Sequence, residues 1–371
     1  MKIVFTGGGT AGHIFPIISI IREIKRNNLT NDFQFFYIGP DDKFARDLLE
    51  KEGIEVKIIL SGKIRRYFSL QNIIDVFFKI PLGFLQSFYY LFVISPDLIF
   101  SKGGYGSIPV VVSGWLLATP IFIHESDACL GLANRIASKF ALEVFGAFPI
   151  KRMLYFNKKK IISVGNPVRQ EILIPPSNSK ELLGLTGEKP VIFFIGGSQG
   201  SQRINEELLA DLENFLENFE IIHQTGKENF EEIKKEVEFT INKDLKKYYH
   251  PFPFLSENEL AASYHSADLI VSRAGGGAIF EIAAVGKPSI LIPLPGSAQE
   301  HQVKNAYIYA ETGAAIVIEE ANFRPHFLLT TIKTLFAQPE KMKLMSKAAK
   351  KFSKPMAGKI IAKYIISYLK L

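Results

Sequence analysis

The chain has 371 residues, 47% of them hydrophobic and 22% charged, with a net charge of +7. That length exceeds one ordinary core and implies two domains, and the balance excludes a disordered or fibrous chain. The positive excess favours phosphates or anionic lipid as partners, while the absence of arginine-rich tracts interleaved with aromatics argues against nucleic acid.

In chain order, KIVF reads as a short buried strand. It runs into TGGGTAGHIFP and then a helical apolar pattern over HIFPIISIIREIKR. This opening run is short and ends in glycines, unlike a secretory signal. FQFFYIG reads as a second strand, DDKFARDLLEKEG as a helix closing at Gly53, and VKIIL as a third strand. Residues 73–94, IIDVFFKIPLGFLQSFYYLFVI, are long enough to cross a bilayer. Asp75, Lys79, Pro81 and Gln86 interrupt them, however, and each charge would cost about 2.5–3.5 kcal/mol at the bilayer centre. A spanning helix is therefore not expected. DLIFSKGGYG is a strand running into glycines, PVVVSGWLLATP an apolar helix, and IFIHES a strand with a polar end. Cys129, the one cysteine, cannot form an internal disulfide and suits a reducing compartment.

The pattern restarts at PVIFFIGGSQGSQRINEELLADLENF, again strand, glycine loop and helix. FEIIHQTG is a strand, and the stretch from LAASYHSADLIV to SILIPLP reads helix, strand, loop, helix, strand. The join is expected near VGNPVRQEILIPPSNS, residues 164–179, which is rich in Pro, Asn and Ser. The fold class is α/β, with two doubly wound Rossmann-like domains facing a cleft that ligands enter at the strand ends.

Gly7, Gly9 and Gly12 carry the dinucleotide-binding spacing, but the chain has further glycine loops at 196–200 and 275–277. One NAD needs one such loop. Asp41 and Asp42 also come later than the roughly 20-residue offset of a ribose-binding acid. Each loop instead offers free N–H groups and a positive helix end to an anion. Glu281, among the glycines of SRAGGGAIFEIAAVGKP, is placed at a helix start and can accept from ribose hydroxyls. Its removal is then expected to weaken nucleotide binding with little loss of fold. No Asp-x-Asp and no His/Cys cluster suggests a metal, and no cofactor is implied.

GGGTAGHIFP, GGYGSIP, HESDACLGLANRIA, GNPVR, GGSQGSQRIN, EIAAVGKPSILIPLP and EHQVKNA occur in this order. The set resembles the MurG family, the membrane-associated N-acetylglucosaminyltransferases of peptidoglycan synthesis (glycosyltransferase family 28), over about residues 1–320. The resemblance implies the GT-B fold and inverting, metal-independent transfer of GlcNAc from UDP-GlcNAc to the C4 hydroxyl of undecaprenyl-linked lipid I. It implies an acceptor and membrane-associated domain over 1–165, a donor domain over 166–354, and a helix over 355–371 returning to the first. On the donor side it assigns Ser198, Gly276 and Gly277 to the phosphates, Leu255 to the uracil, Glu281 to the ribose and Gln302 to the GlcNAc hydroxyls. Asn305 packs behind, and Arg169 adds positive charge to the UDP leaving group. On the acceptor side it assigns Thr10, Ala11, Gly12, His13, Tyr105, Glu125 and Asp127, with His13, Glu125 and Asp127 as the catalytic candidates.

A histidine in the first turn of a helix is held neutral by the positive helix end, so His13 can accept a proton from a sugar hydroxyl. Alternatively it only donates a hydrogen bond to a phosphate or carbonyl. His124, beside Glu125, is the rival base; His223 and His265 read as structural. Three positions depart from the family pattern: Asp127 where Asn is usual, Gly277 and Ala278 where hydroxyls are common, and His301 beside Gln302. Lys63, Arg65, Arg66 and Lys79, among Tyr67, Phe68, Phe77, Phe78, Phe84 and Phe88, read as an amphipathic patch for an anionic membrane surface. The protein is accordingly expected to be peripheral, on the cytoplasmic face of the cell membrane, with cell-wall synthesis proteins as further partners. Competing readings are another GT-B enzyme, such as a diacylglycerol glycosyltransferase or a UDP-GlcNAc epimerase, and a non-catalytic nucleotide-sugar binder.

Overall fold

The computed structural model describes residues 1–8, 11–27, 33–62, 75–149, 161–197 and 200–370. They form two compact units, Met1–Val168 with Met356–Leu371, and Arg169–Pro355. Ser19 Oγ donates to the carbonyl of Val168 at 3.0 Å, tying the end of the first segment to its own unit.

The first unit is built on seven parallel strands, β1 Lys2–Thr6, β2 Gln34–Gly39, β3 Glu55–Ile58, β4 Leu98–Ser101, β5 Ile121–Glu125, β6 Glu143–Gly146 and β7 Ile161–Ser163. Their order is β3-β2-β1-β4-β5-β6-β7. The central strands are almost wholly apolar because helices cover both faces. On one face α1, Ala11–Asn27, buries Ile14, Ile17, Ile18, Ile21 and Ile24, the spacing of a one-sided helix. The C-terminal helix, Ala357–Leu369, adds Ile361, Ala362 and Ile365 to the same core. Its Tyr364 and Tyr368 rings meet Phe122 at 5.5 and 5.1 Å. Next, α2, Lys43–Lys51, starts at Asp42, whose carboxylate accepts from the backbone N–H of Ala45 at 2.8 Å.

On the other face lie α3, Ile80–Ile94, and α4, Ile108–Leu116. They bury Leu91, Ile94, Val110 and Val111 against Val4, Ile99, Ile121 and Ile123. Gly83 sets the approach of α3, since a Cβ there would stand 1.8 Å from the carbonyl oxygen of Leu60. Ser87, Leu91 and Ile94 continue that buried stripe along the helix.

The second unit has six parallel strands, β8 Val191–Ile195, β9 Glu220–Gln224, β10 Tyr249–Phe252, β11 Leu269–Ser272, β12 Ser289–Leu291 and β13 Ala315–Val317, in the order β10-β9-β8-β11-β12-β13. Its site-bearing helices are α5 Gln202–Leu209, α6 Glu257–Ser266, α7 Gly276–Val285 and α8 His301–Ala310. Ser256 and Glu259 close a reciprocal capping box at the start of α6. In each sheet the winding reverses once, between β1 and β4 and between β8 and β11. A doubly wound sheet opens its ligand crevice at the carboxyl ends of the strands flanking such a reversal.

Candidate active site

In the first unit three strand ends converge on the reversal. β1 runs into Gly7 and Gly8, β4 into Lys102, Gly103 and Gly104, and β5 into Ser126 and Asp127. Gly104 has a φ of +87°, and a Cβ on it would lie 2.7 Å from the backbone nitrogen of Gly8. The two glycine loops therefore touch through bare backbone. That leaves room for His13, whose Nε2 lies 3.2 Å from where a Gly8 Cβ would stand and 3.5 Å from that of Gly104. As the third residue of α1, His13 sits among the first N–H groups of the helix, which have no intrahelical acceptor. Gly12 is exposed beside it, and Tyr105 is exposed at the start of the short turn Tyr105–Ser107. Thr10 and the side chain of Ala11 lie outside the described residues.

His124 is fully buried at the end of β5. Its Nε2 is 2.9 Å from the carbonyl of Gly165 and its Nδ1 2.8 Å from Nζ of Lys102. A carbonyl can only accept, so Nε2 carries the hydrogen and Nδ1 accepts from the lysine. Burial, and then the lysine charge, hold the imidazole well below the ordinary histidine range. With both ring nitrogens engaged, His124 is not available as the rival base. Glu125 is also committed. Its Oε1 accepts from the backbone N–H of Asp127 at 3.0 Å, and its Oε2 from Gly131 at 3.2 Å and from Asn134 Nδ2 at 3.0 Å. Burial and the neighbouring Asp127 carboxylate push Glu125 up to about 7. Glu125 thus shapes the turn from Ser126 to Gly131 and does not present itself to a substrate, contrary to its place among the catalytic candidates. Asp127, in that turn, is partly exposed.

In the second unit β8 runs into Gly196 and Gly197, and the loop closes at Gly200 before Ser201 caps α5. A Cβ on Gly200 would stand 2.2 Å from the carbonyl oxygen of Thr225. Ser198 lies outside the described residues. The residue that braces this end of the sheet is Arg273, which the sequence reading passed over. Its Nε donates to Ser201 Oγ at 3.0 Å, and its Nη1 to the carbonyl of Ile292 at 3.2 Å and to Glu320. One buried guanidinium therefore joins the ends of β8, β11 and β12. Lys102 was passed over in the same way. Both follow a buried serine at the end of the strand beyond the reversal, in SKGG and SRAGGG. A lone charge between an apolar strand and paired glycines was the available signal.

The N-terminus of α7 begins at Gly276, with Gly275 as its cap, and a Cβ on Gly275 would meet nothing within 4 Å. The first N–H groups of α7 are thus approachable by a phosphate. Gly277 and Ala278 bring no hydroxyl to it. Glu281 lies in the second turn of α7 and not at its start. Its Oε1 accepts from Nε and Nη2 of Arg169 at 2.9 and 2.7 Å, and its Oε2 from the hydroxyl of Tyr264 at 3.1 Å. Arg169 was expected to add positive charge at the leaving group; its Nε and Nη2 are engaged by Glu281. A carboxylate offers about four lone-pair positions, so Glu281 keeps room for about one ribose hydroxyl rather than two.

Gln302 Oε1 accepts from the backbone N–H of Leu294 at 3.0 Å, which holds the side chain of α8 against the end of β12. Gln299 and Glu300, just before His301, have φ values of 58° and 56°. Asn305 is fully buried and donates to the carbonyl of Ala274 at 3.2 Å, the packing role expected of it. Leu255 is buried immediately before the Ser256 cap. His223 is bonded to Asn205 Oδ1 and the Tyr249 hydroxyl, and burial pushes it down to about 3, while His265 meets the carbonyl of Ile172. Both are structural. Among the described residues no group of three or more His, Cys, Asp or Glu is placed to hold a metal.

Residues 3–146 match the glycosyltransferase family 28 N-terminal domain and residues 191–360 the C-terminal domain of the same family. A relative from Bacillus cereus, named UDP-N-acetylglucosamine--N-acetylmuramyl-(pentapeptide) pyrophosphoryl-undecaprenol N-acetylglucosamine transferase 2, is 38% identical over 98% of this chain and 99% of its own. The chain belongs to glycosyltransferase family 28. Among solved structures, the family 28 chain is similar to Acinetobacter baumannii MurG, with a TM-score of 0.74 at 24% identity over 99% of both chains. A UDP-GlcNAc 2-epimerase from Neisseria meningitidis shares the fold at a TM-score of 0.68 and 14% identity, covering 99% of this chain and 100% of its own. Shape alone therefore does not separate transferase from epimerase; whole-chain sequence identity places this chain in family 28.

Proposed function

We propose that the chain transfers GlcNAc from UDP-GlcNAc to the C4 hydroxyl of MurNAc in lipid I, with inversion, giving lipid II. The observation that carries this reading is the 38% identity, over nearly the whole chain, with a relative named for GlcNAc transfer to that lipid-linked acceptor. The epimerase alternative has only a fold at 14% identity behind it. Turnover with purified lipid I against diacylglycerol tests the reading. UDP release with the first and none with the second is expected; the reverse would assign the chain to a lipid glycosylation outside the cell wall.

Inversion is a single displacement. The C4 oxygen attacks C1 of GlcNAc from the face opposite UDP, the C1–O bond breaks, and its electron pair leaves on the β-phosphate. His13 takes the C4 proton, with Thr10, Ala11, Gly12, Tyr105 and Asp127 around the acceptor. Charge developing on the diphosphate falls on the N-terminus of α7 at Gly276 and Gly277, and on the loop holding Ser198, in place of a metal. Leu255 offers backbone to the uracil, Glu281 binds the ribose and Gln302 reads the GlcNAc hydroxyls.

We further propose that the chain is peripheral at the cytoplasmic membrane face. Phe77–Ile94 is long and apolar enough to span, but α3 is bound to its own sheet along one stripe, through Gly83, Ser87, Leu91 and Ile94. Its other side presents Leu85 and Phe92, and the π-helical turn that precedes it, Asp75–Lys79, presents Phe77 and Phe78, each more than 60% exposed. Lys79 is paired with Asp75 at 2.8 Å; Lys63, Arg65, Arg66, Tyr67 and Phe68 lie outside the described residues. Burying each such side chain in lipid is worth about 1.5–3 kcal/mol. Changing Phe77 and Phe78 to Ser is therefore expected to weaken vesicle binding by roughly 100-fold or more, while sparing turnover of a short-chain, water-soluble acceptor. Equal vesicle binding by both proteins would remove this face from the membrane.

A further inference from the structure

Lys102 is a cation placed where a cation is costly. It is 2% exposed, directly after β4. Its ammonium donates to His124 Nδ1 at 2.8 Å and to Ser126 Oγ, and Ser126 Oγ donates in turn to Asn166 Oδ1 at 3.1 Å. Histidine nitrogen and serine oxygen are neutral acceptors, and neither balances the charge. Removing an ammonium from water costs several kcal/mol unless an anion answers it. Two carboxylates flank that serine in the chain, Glu125 at the end of β5 and Asp127 one residue beyond Ser126. Glu125 already accepts three N–H bonds. Asp127 is the more exposed of the two. We propose that Lys102 is a positioning residue of the acceptor site, the buried counter-charge that allows Asp127 to stand as a carboxylate in the turn beside the His13 loop. Burial draws the lysine down to about 8, with Glu125 and then Asp127 pulling the other way, as mutual compensation requires.

The proposal rests on the acceptor-site reading of the first unit. Its chemical content is that an acceptor bearing a pyrophosphate would be repelled by the Asp127 carboxylate. Lys102 offsets that charge without touching the substrate, and through Ser126 it fixes the turn. Loss of Lys102 should then be relieved by loss of Asp127's charge.

The test is a double-substitution cycle with Lys102→Met, Asp127→Asn and the pair together. Lys102→Met is expected to lower kcat/KM for lipid I by about 100-fold, on the scale of an uncompensated buried charge, with the KM for UDP-GlcNAc changed less than about twofold. The double variant should regain at least about tenfold of that loss. A double variant as weak as Lys102→Met, or weaker, overturns the proposal, as does a Lys102→Met enzyme of wild-type rate. The same cycle in thermal unfolding midpoints needs no substrate. There Asp127→Asn should raise the midpoint of Lys102→Met while lowering, or leaving unchanged, that of the wild type. Equal effects in both backgrounds overturn the pairing, even if the wild type proves not to use lipid I. If Lys102→Met does not fold, recovery of folding in the double variant supports the proposal, and its failure to fold overturns it.

Discussion

His13→Ala is expected to lower kcat by about 10²–10⁴-fold, the usual contribution of a positioned base. The ring nitrogen lies where the loops after β1 and β4 touch, at the reversal of the first sheet, and two glycines leave space for it. A base must come within about 2.6–3.2 Å of the group it deprotonates, and the other histidine of this unit is committed inside the fold. His124 has both nitrogens bonded inside the protein, and the Glu125 oxygens are held by three N–H donors. The KM for UDP-GlcNAc should change little, because the residues proposed to bind the donor belong to the second unit. Steady-state kinetics with both substrates varied will check this. If kcat survives while the acceptor KM rises, His13 is a binding residue, and Asp127 becomes the remaining candidate. Asp127→Asn then separates the two, being tolerated if His13 is the base and severe if the carboxylate is.

Glu281→Ala is expected to do two things at once. Loss of a charged acceptor for the ribose should cost about 1.5–3 kcal/mol, a rise of roughly 10- to 150-fold in the KM for UDP-GlcNAc. It also strands Arg169, whose side chain is only 12% exposed, and removes the partner of the Tyr264 hydroxyl. Breaking one side of such a pair costs up to about 3–5 kcal/mol, so the unfolding midpoint should fall clearly. The sequence alone suggested little loss of fold, because nothing in it links Arg169 to a glutamate on a distant helix. Glu281→Gln keeps the shape and should fall between wild type and Ala in both measurements. A folded Glu281→Ala enzyme with wild-type KM would leave Glu281 as the partner of Arg169 and nothing more.

The central strands and the glycine loops were legible because strands covered on both faces must be apolar throughout, and because tight turns at their ends demand glycine. Short strands such as Glu143–Gly146, Ile161–Ser163, Tyr249–Phe252 and Ala315–Val317 were not. They lie at or near sheet edges, carry residues such as Glu143 and Pro251, and owe their conformation to the neighbour they pair with. The site divides in the same way. His13 and Glu281 could be named from their local settings, and Gln302 from the family resemblance. What each one touches could not, since hydrogen bonds such as Arg169–Glu281 and His124–Gly165 join residues far apart in sequence. Lys102 and Arg273 were hidden for a different reason. Charged residues are usually exposed, and only the folded sheet shows these two turned inward with partners.

The central claim is the transfer itself, and the mass and anomeric configuration of the product test it most directly. Incubated with UDP-GlcNAc and purified lipid I, the protein should convert the lipid to a species heavier by one N-acetylhexosamine residue, linked β to C4 of MurNAc, with one UDP released per product. Unchanged lipid I together with UDP-GlcNAc converted to its 2-epimer, or with UDP-GlcNAc bound and intact, would contradict it.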